Sequence, residues 1–291
     1  MDTYNKFNDF LAKSPGHIRI PPLKMNIHVL IRAFADADMP LAKLVSVLNN
    51  YPVIVARLLG LANSSWACPA TPINNLETAC VRLGNNMVKT VSLALVVASS
   101  FDTSRCPSFD TTRFWMTSLL VAEGGALLAA KLPNKNQFAA DFAQMVQTAG
   151  ILHNLGMLWL ADNMASEAEL AIKLSLANPE LNINQAIKQC IGVDYCRIGA
   201  WMFKQWELPD EVIMAVAHHH DKHEQVSASA PAVLIGAAAA MVDDLFHDCP
   251  ETAENNYLRR LGIELAQQNQ VFEQLTAKRE SIHGLAEMLF S

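Results

Sequence analysis

Two neighbouring polar residues, His153 and Asn154, stand in an otherwise apolar segment that covers residues 149–158. Buried polar side chains are costly unless they are hydrogen-bonded or bind a metal. A histidine followed by an aspartate can place an imidazole nitrogen and a carboxylate oxygen on one metal ion. Here the second residue is a neutral amide, which binds hard cations weakly. The residue types therefore favour a hydrogen-bonded structural pair over a metal site.

A second group of candidate ligands is the histidine-rich run at residues 218–223. His219 and His223 are one helical turn apart and could share a metal if a helix continued through them. The favoured interpretation is a solvated helix C-terminus, where partly protonated imidazoles interact well with the helix dipole. Asp243 and Asp244 could add a carboxylate, but consecutive acidic residues at a helix end usually form its exposed face.

The remaining sequence carries none of the common nucleotide-binding, hydrolase or zinc-protease motifs. The cysteines show neither a CxxC pair nor zinc-finger spacing, and no base partner for a nucleophilic thiol is apparent. We interpret them as reduced core thiols of a cytoplasmic protein. These six cysteines are Cys68, Cys80, Cys106, Cys190, Cys196 and Cys249.

Composition limits both the fold and the partners. The 291 residues are 51% hydrophobic and only 7% aromatic, with many Ala, Leu, Val and Met, which favours packed helices over a β-sandwich or barrel. We therefore predict an all-α protein. The net charge of −6 and the lack of a Lys/Arg run argue against nucleic acid or an anionic membrane as partner. No secretory signal is expected at the N-terminus, and no apolar run is long enough to span a membrane.

Hydrophobic periodicity and helix-breaking residues predict a chain of helices that positions these side chains. Asn74 and Glu77 resemble a capping box that opens the helix ending near Gly84. The polar residues 102–108 suggest a boundary between two lobes. The other helices are predicted at residues 23–37, 41–48, 53–62, 87–99, 110–131, 138–162, 166–177, 183–190, 194–206, 210–220 and 231–247.

The residues after Glu251 form an amphipathic pattern with an apolar stripe at helical spacing. Packing of this stripe on its own domain is favoured over binding to a partner, because most such stripes belong to a core. The stripe consists of Leu265, Phe272, Leu275, Ile282, Leu285 and Leu289.

Several segments together resemble the HDOD family, a bacterial signalling domain related to the HD metal-dependent phosphohydrolases. The resemblance implies a two-lobed helical bundle of the HD-domain-like kind, with lobes at residues 17–102 and 109–247 of a domain covering 17–247. Residues 1–16 would be an N-terminal extension and residues 248–291 a helical tail. The matching segments are Pro21-Pro22-Leu23, residues 51–64, residues 73–84 ending in Val81-Arg82-Leu83-Gly84, residues 151–156, Gly192-Val193-Asp194-Tyr195, Ile198-Gly199-Ala200, and residues 206–220 from Trp206-Glu207-Leu208-Pro209 through His219-His220.

The resemblance also shows which ligands are missing. HD enzymes hold metal with an early histidine, a His-Asp pair, further histidines and a late aspartate. Here the early histidine is absent from residues 115–118, the pair is His153-Asn154, and the histidine after Asp194 is replaced by Tyr195. The remaining set lacks the charge and ligand count of a dinuclear hydrolytic centre. No catalytic residue and no resident metal or other cofactor is expected.

The resemblance implies a non-enzymatic signal-transduction protein that binds a protein partner or a small signalling ligand through a degenerate HD-type cleft. The cleft candidates are His153, Asn154, Tyr195, His219, His220 and Asp243. The alternative is a metal-dependent phosphohydrolase acting on a nucleotide or phosphodiester, with a divalent metal held by His153, His219, His220 and Asp243. A nucleic-acid regulator is a third class, which the acidic charge disfavours.

Overall fold

The computed structural model describes residues 39–290, except for 65, 66, 68, 70, 134–137, 139, 140, 179 and 222–228. The described residues form fourteen α-helices and no β-strand, so the all-α prediction is confirmed. The predictions for residues 1–38, including the N-terminal extension and the helix at 23–37, lie outside the described residues. Within this described part, no helix combines the length and the apolar character that crossing a membrane requires.

The first lobe contains four helices that pack on one another. Pro52 stands in the first turn of the second helix, where its missing N–H costs nothing. Asn75 caps the third helix by accepting a hydrogen bond of 2.8 Å from the Thr78 N–H. The predicted cap at Asn74 was therefore wrong by one residue. The helices are α1 (Leu41–Leu48), α2 (Pro52–Ala62), α3 (Leu76–Leu83) and α4 (Asn85–Ala98).

The second lobe starts with a long helix and continues through seven shorter ones. The single helix predicted at residues 138–162 was wrong, because the chain breaks at His153 and Asn154 into two helices. The helices are α5 (Thr111–Lys131), α6 (Phe142–Leu152), α7 (Leu155–Asn163), α8 (Ala165–Ala177), α9 (Ile183–Ile191), α10 (Tyr195–Gln205), α11 (Asp210–His218) and α12 (Ala230–Phe246). The short α13 (Asn256–Arg260) and the long α14 (Leu265–Phe290) follow.

Helix α5 is the centre of the core, since α6, α12 and α14 all pack on it. Gly124 and Gly125 make this possible on two sides. A Cβ at Gly124 would lie 3.1 Å from Ala238 of α12, and one at Gly125 would lie 3.0 Å from Val146 of α6. The absence of these side chains lets the neighbouring helices approach closely, which increases the buried apolar area.

Helix α14 contacts both lobes. The Phe290 ring stacks on Trp115 of α5 with 4.5 Å between centroids, and the Arg57 guanidinium of α2 donates a hydrogen bond to the Leu289 carbonyl. The apolar stripe is buried from Phe272 onward, so internal packing is confirmed for this part, whereas Leu265 is 39% exposed.

The linker between α4 and α5 is attached to the second lobe. The Ser108 N–H and hydroxyl donate to the Glu169 carboxylate of α8 at 2.8 and 2.7 Å. Hydrogen bonds from Lys173 and then from Ser108 lower the pKa of Glu169 to about 2. The carboxylate is therefore charged at neutral pH and holds the polar linker against α8.

Candidate functional site

The break between α6 and α7 sets the position of His153. Its Nδ1 lies 2.7 Å from the Gly150 carbonyl, and because a carbonyl only accepts, Nδ1 carries the proton and Nε2 keeps its lone pair. The side chain is 2% exposed. Burial, with a smaller contribution from His220, lowers the pKa of His153 to about 4. The ring is therefore neutral at pH 7.

Asn154 is bonded to α5. Its Oδ1 lies 2.9 Å from the hydroxyl of Ser118, and its Nδ2 lies 3.5 Å from the Phe114 carbonyl. Asn154 is 3% exposed, so these bonds satisfy polar atoms that water does not reach. The predicted hydrogen-bonded role of the His153 and Asn154 pair is confirmed. Ser118 belongs to the stretch in which HD enzymes would place their early histidine.

The end of α11 contributes His219, and the predicted solvated helix terminus was wrong for this residue. His219 is 6% exposed, its Nδ1 donates to the Val216 carbonyl at 2.7 Å, and its ring lies edge-on to His153 with 5.2 Å between centroids. Burial, followed by the neighbouring His220 and His153, lowers the pKa of His219 well below its ordinary value. Helix α12 covers this turn, which sequence periodicity does not reveal. His223 lies outside the described residues.

Tyr195 begins α10 and contacts His220. The Tyr195 hydroxyl lies 2.6 Å from Nε2 of His220, and the two rings are nearly perpendicular. Burial raises the pKa of Tyr195 well above its ordinary value, so the phenol stays protonated and donates a hydrogen bond to this nitrogen. We call His153, Tyr195, His219 and His220 the histidine cluster. Its first three members are buried, and His220 is half-buried.

Cys196 adds a thiol to this group that sequence analysis interpreted as a core residue without a base partner. Its Sγ lies 3.8 Å from Nε2 of His219. Burial raises the pKa of Cys196 well above its ordinary value, so the thiol is protonated. In the described part of the chain, one group of at least three His, Cys, Asp or Glu residues has ligand atoms close enough to share an ion. It consists of Cys196, His219 and His220.

An ion-pair network borders the cluster, and sequence analysis did not find it. Arg197 binds Asp221 through two nitrogens at 3.0 and 3.1 Å and lies 3.4 Å from Asp194. Nδ1 of His218 lies 2.6 Å from the Asp221 carboxylate. Asp194 also caps α10 by accepting the Arg197 N–H at 3.0 Å. The sequence signal for this contact was Asp194 directly before the predicted helix, with Arg197 three residues later, because an aspartate at that position caps a helix.

Two glycines fix the backbone around the cluster. A Cβ on Gly156 of α7 would lie 1.9 Å from the Tyr195 carbonyl oxygen, and one on Gly236 of α12 would lie 2.2 Å from that of His219. Only a residue without a Cβ allows these backbones to touch. The helices that bear the cluster are therefore held by direct backbone packing.

None of the described hydrogen bonds joins Asp243 to the other candidates, although its charge contributes, after burial, Cys196 and Asp194, to the raised pKa of Tyr195. Its side chain on α12 is 69% exposed and lies 3.8 Å from Nδ1 of His247, which agrees with the predicted exposed helix face. The structure thus brings together His153, Tyr195, His219 and His220, joins Asn154 to α5, and leaves the Asp243 carboxylate facing solvent.

These residues do not fit the dinuclear metal centre of HD enzymes. Two ions need anionic ligands that offset and bridge their charge. The residue after His153 is an amide bonded to Ser118, and the late aspartate, Asp243, is exposed. Neutral imidazoles alone do not supply the missing charge.

A cavity of about 280 Å³ lies away from the histidine cluster, between α4, α5 and α14. Its lining includes the polar side chains of Asn86, Thr90, Glu123 and Gln147. The Glu123 carboxylate is paired with Lys278 of α14. The cavity therefore lies where the two lobes and α14 meet.

The described helices form an all-α fold of the HDOD and HD-domain-like kind. The family model described as HDOD domain matches residues 20–222, which is more than half of the chain. This chain belongs to the HDOD family.

Solved structures share the fold at low sequence identity. A protein from Marinobacter aquaeolei VT8, whose name proposes signal transduction, has a TM-score of 0.83 at 21% identity over 99% of this chain and 66% of its own. An HDOD domain protein of unknown function from Geobacter sulfurreducens has a TM-score of 0.73 at 17% identity, covering 99% and 98%. A protein from Shewanella amazonensis SB2B, whose name proposes a phosphohydrolase, has a TM-score of 0.68 at 22% identity, covering 92% and 94%.

A curated relative, an uncharacterized protein of Treponema pallidum (strain Nichols), is 26% identical over 208 residues. The match covers 69% of this chain but only 38% of the relative. The chain thus spans less than two thirds of both this relative and the Marinobacter protein.

Proposed function

We propose that this chain is a non-enzymatic regulatory protein of the bacterial cytoplasm that binds a protein partner or a small signalling ligand at the histidine cluster. The observation that carries the proposal is the Asn154 side chain. Its Oδ1 accepts a hydrogen bond of 2.9 Å from the Ser118 hydroxyl, at the position where an HD enzyme presents a metal-binding carboxylate. Family membership in HDOD, and a similar fold in a protein whose name proposes signal transduction, support the same role.

The half-buried edge of the cluster is the part that a partner can reach. His220 bonds to the buried Tyr195, and the neighbouring Arg197 and Asp221 form an ion pair near the surface. A ligand that competes for His220 would disturb the bond to Tyr195 at the start of α10. Such a contact would couple binding at the surface to the packing of α10 on α11. A ligand that favours one arrangement of these helices would shift the protein toward that conformation.

The rival function is phosphohydrolysis, because His153 and His219 are neutral and each keeps an Nε2 lone pair for a metal. The test is hydrolysis of bis(p-nitrophenyl) phosphate and of cyclic dinucleotides with Mn²⁺, Fe²⁺ or Zn²⁺. We expect no turnover above buffer for the wild type and none for Asn154→Asp, which restores the His-Asp pair alone. Metal-dependent turnover by the wild type that disappears in His153→Ala would overturn the proposal.

Binding is tested by the change in Tm with a panel of nucleotides and by chromatography with candidate partner domains. We expect any interaction at the cluster to weaken in His220→Gln and to persist in His247→Gln, which removes an exposed histidine on α12. An interaction that is unchanged by His220→Gln would place the binding surface elsewhere.

A further inference from the structure

The Cys196 side chain meets those of the consecutive residues His219 and His220, although His219 is 23 positions further along the chain. Their ligand atoms lie within 4.8 Å of one another. A tetrahedral zinc ion with Zn–S of about 2.3 Å and Zn–N of about 2.0 Å separates sulfur from nitrogen by roughly 3.5 Å. The observed distance from Cys196 Sγ to His219 Nε2 is 3.8 Å. These two atoms are thus spaced as neighbouring ligands of one ion would be.

The neighbouring residues hold His219 in an orientation and tautomer that suit metal binding. Its Nδ1 donates to the Val216 carbonyl, which leaves the Nε2 lone pair for an ion. Metal-binding histidines commonly donate their other ring nitrogen in this way, because the bond fixes the tautomer and the ring orientation. Direct packing of Gly236 on the His219 carbonyl holds the backbone as well. Burial keeps the imidazole neutral, which is its metal-binding form.

His220 completes the set from the more accessible side. Its Nε2 accepts a hydrogen bond from the Tyr195 hydroxyl at 2.6 Å. An ion bound by that nitrogen would replace the hydrogen bond and leave the phenol oxygen beside it as a potential fourth ligand. Because His220 is half-buried whereas Cys196 is fully buried, an ion would enter from the His220 side.

The ligand types select the ion. One thiolate and two imidazoles suit borderline or soft late transition metals, whereas Mg²⁺ and Mn²⁺ prefer oxygen ligands. Binding converts the Cys196 thiol to a thiolate and releases one proton to solvent, so the bound ion and its ligands together carry one positive charge. Asp194, Arg197 and Asp221 all influence the charge of Cys196, and the two carboxylates outnumber the single guanidinium that pairs with them. The surroundings therefore tolerate the added positive charge.

We propose that Cys196, His219 and His220 form a mononuclear site for a thiophilic divalent ion, of which Zn²⁺ is the typical example. This differs from the expectation of no metal, and from the HD-type set, because it uses a cysteine and omits His153, Asn154 and Asp243. The ion would join the start of α10 to the end of α11. The inference goes beyond the proposed binding function and does not depend on it.

The test uses the full chain, freed of metal with a chelator and then titrated with Co²⁺ as a spectroscopic substitute for Zn²⁺. We expect a thiolate-to-cobalt charge-transfer band and the strong visible bands of a tetrahedral site. Both should saturate at one equivalent and disappear when Zn²⁺ is added. A large excess of Mg²⁺ should leave the spectrum unchanged.

Two variants and a matched control assign the ligands. Cys196→Ser should abolish the charge-transfer band and weaken Zn²⁺ binding by at least about 10-fold, since even loss of a supporting residue costs that much. His220→Gln, at the half-buried edge, should weaken binding similarly while circular dichroism verifies its fold. Cys190→Ser removes a partly exposed thiol at the end of α9 and should change neither.

Two spectroscopic results would contradict a metal site at Cys196. Absence of the thiolate band in wild-type protein, or its persistence in Cys196→Ser, would show that the contact from Cys196 to His219 is only a thiol–imidazole hydrogen bond. Neither result would bear on partner binding or on hydrolysis, which are measured separately.

Discussion

His153 combines complete burial with an ionisable ring, and this makes its charge state a part of the folding equilibrium. Its Nδ1 donates a hydrogen bond to the Gly150 carbonyl, which satisfies the neutral ring on that side. Protonation in the native state is disfavoured, which lowers the pKa to about 4. The unfolded chain exposes the same ring to water.

This difference predicts that acid destabilises the protein. The unfolded state takes up a proton below a pKa of roughly 6.5, whereas folded His153 does so only near a pKa of about 4. The contribution of the neutral ring to the free energy of unfolding is therefore complete above a pH of roughly 6.5 and is lost as the pH falls below that value. Between pH 7 and pH 5 we expect His153 to reduce the free energy of unfolding by about 2 kcal/mol. Urea denaturation in chelator-containing buffer at several pH values measures this.

The matched variants are His153→Gln and His247→Gln. The first should show a shallower dependence of stability on pH, with the remaining slope including His219, whose pKa burial also lowers. The second removes an exposed histidine and should keep the wild-type slope. Equal slopes for the wild type and His153→Gln would contradict the assignment.

At the scale of helices, the site depends on contacts between backbones. Gly156→Ala would place a Cβ 1.9 Å from the Tyr195 carbonyl oxygen, and neither backbone can yield without moving α7 or α10. We expect the free energy of unfolding to fall by about 3 kcal/mol, the upper end of typical overpacking costs. The urea denaturation midpoint measures the change.

Gly284→Ala is the control for this prediction. Gly284 lies within α14, and a Cβ there would meet nothing within 4 Å. Alanine should therefore stabilise the helix by about 0.5 to 1 kcal/mol, because it restricts the unfolded chain more than glycine does. The two glycine-to-alanine substitutions should thus change the free energy of unfolding in opposite directions. A Gly156→Ala variant as stable as the wild type would refute the close contact.

The helices themselves were largely predictable, because apolar residues three and four positions apart, together with Pro, Gly and Asn signals, mark them along the chain. The break at His153 and Asn154 was not, since apolar residues continue on both sides of it and obscure the turn. The burial of His219 depends on coverage by α12, and its contact with Cys196 depends on the packing of α10 on α11. Such tertiary contacts have no local pattern in the sequence.

At the scale of the whole molecule, α14 is a structural part of the core. Leu275 is fully buried and lies close to Gly124 of α5. We expect Leu275→Ala to lower the free energy of unfolding by about 2 to 5 kcal/mol, through lost burial and the cavity left behind. Chemical denaturation followed by tryptophan fluorescence measures this, because Trp115 reports on the packing of α14 through its stack with Phe290.

Leu265→Ala is the comparison within the same helix. Leu265 is 39% exposed at the start of α14, and its truncation should change stability by no more than about 0.5 kcal/mol. A small effect of Leu275→Ala, similar to that of Leu265→Ala, would mean that α14 is only loosely attached.

The hydrogen bond from Arg57 to the Leu289 carbonyl has a consequence for biosynthesis. The two residues are 232 positions apart, so the first lobe emerges from the ribosome long before the helix that covers it. Contacts of such separation form late and slow the acquisition of the native state. Until α14 arrives, the apolar surface of α5 that it will cover stays exposed, and nascent chains are vulnerable to aggregation during this interval.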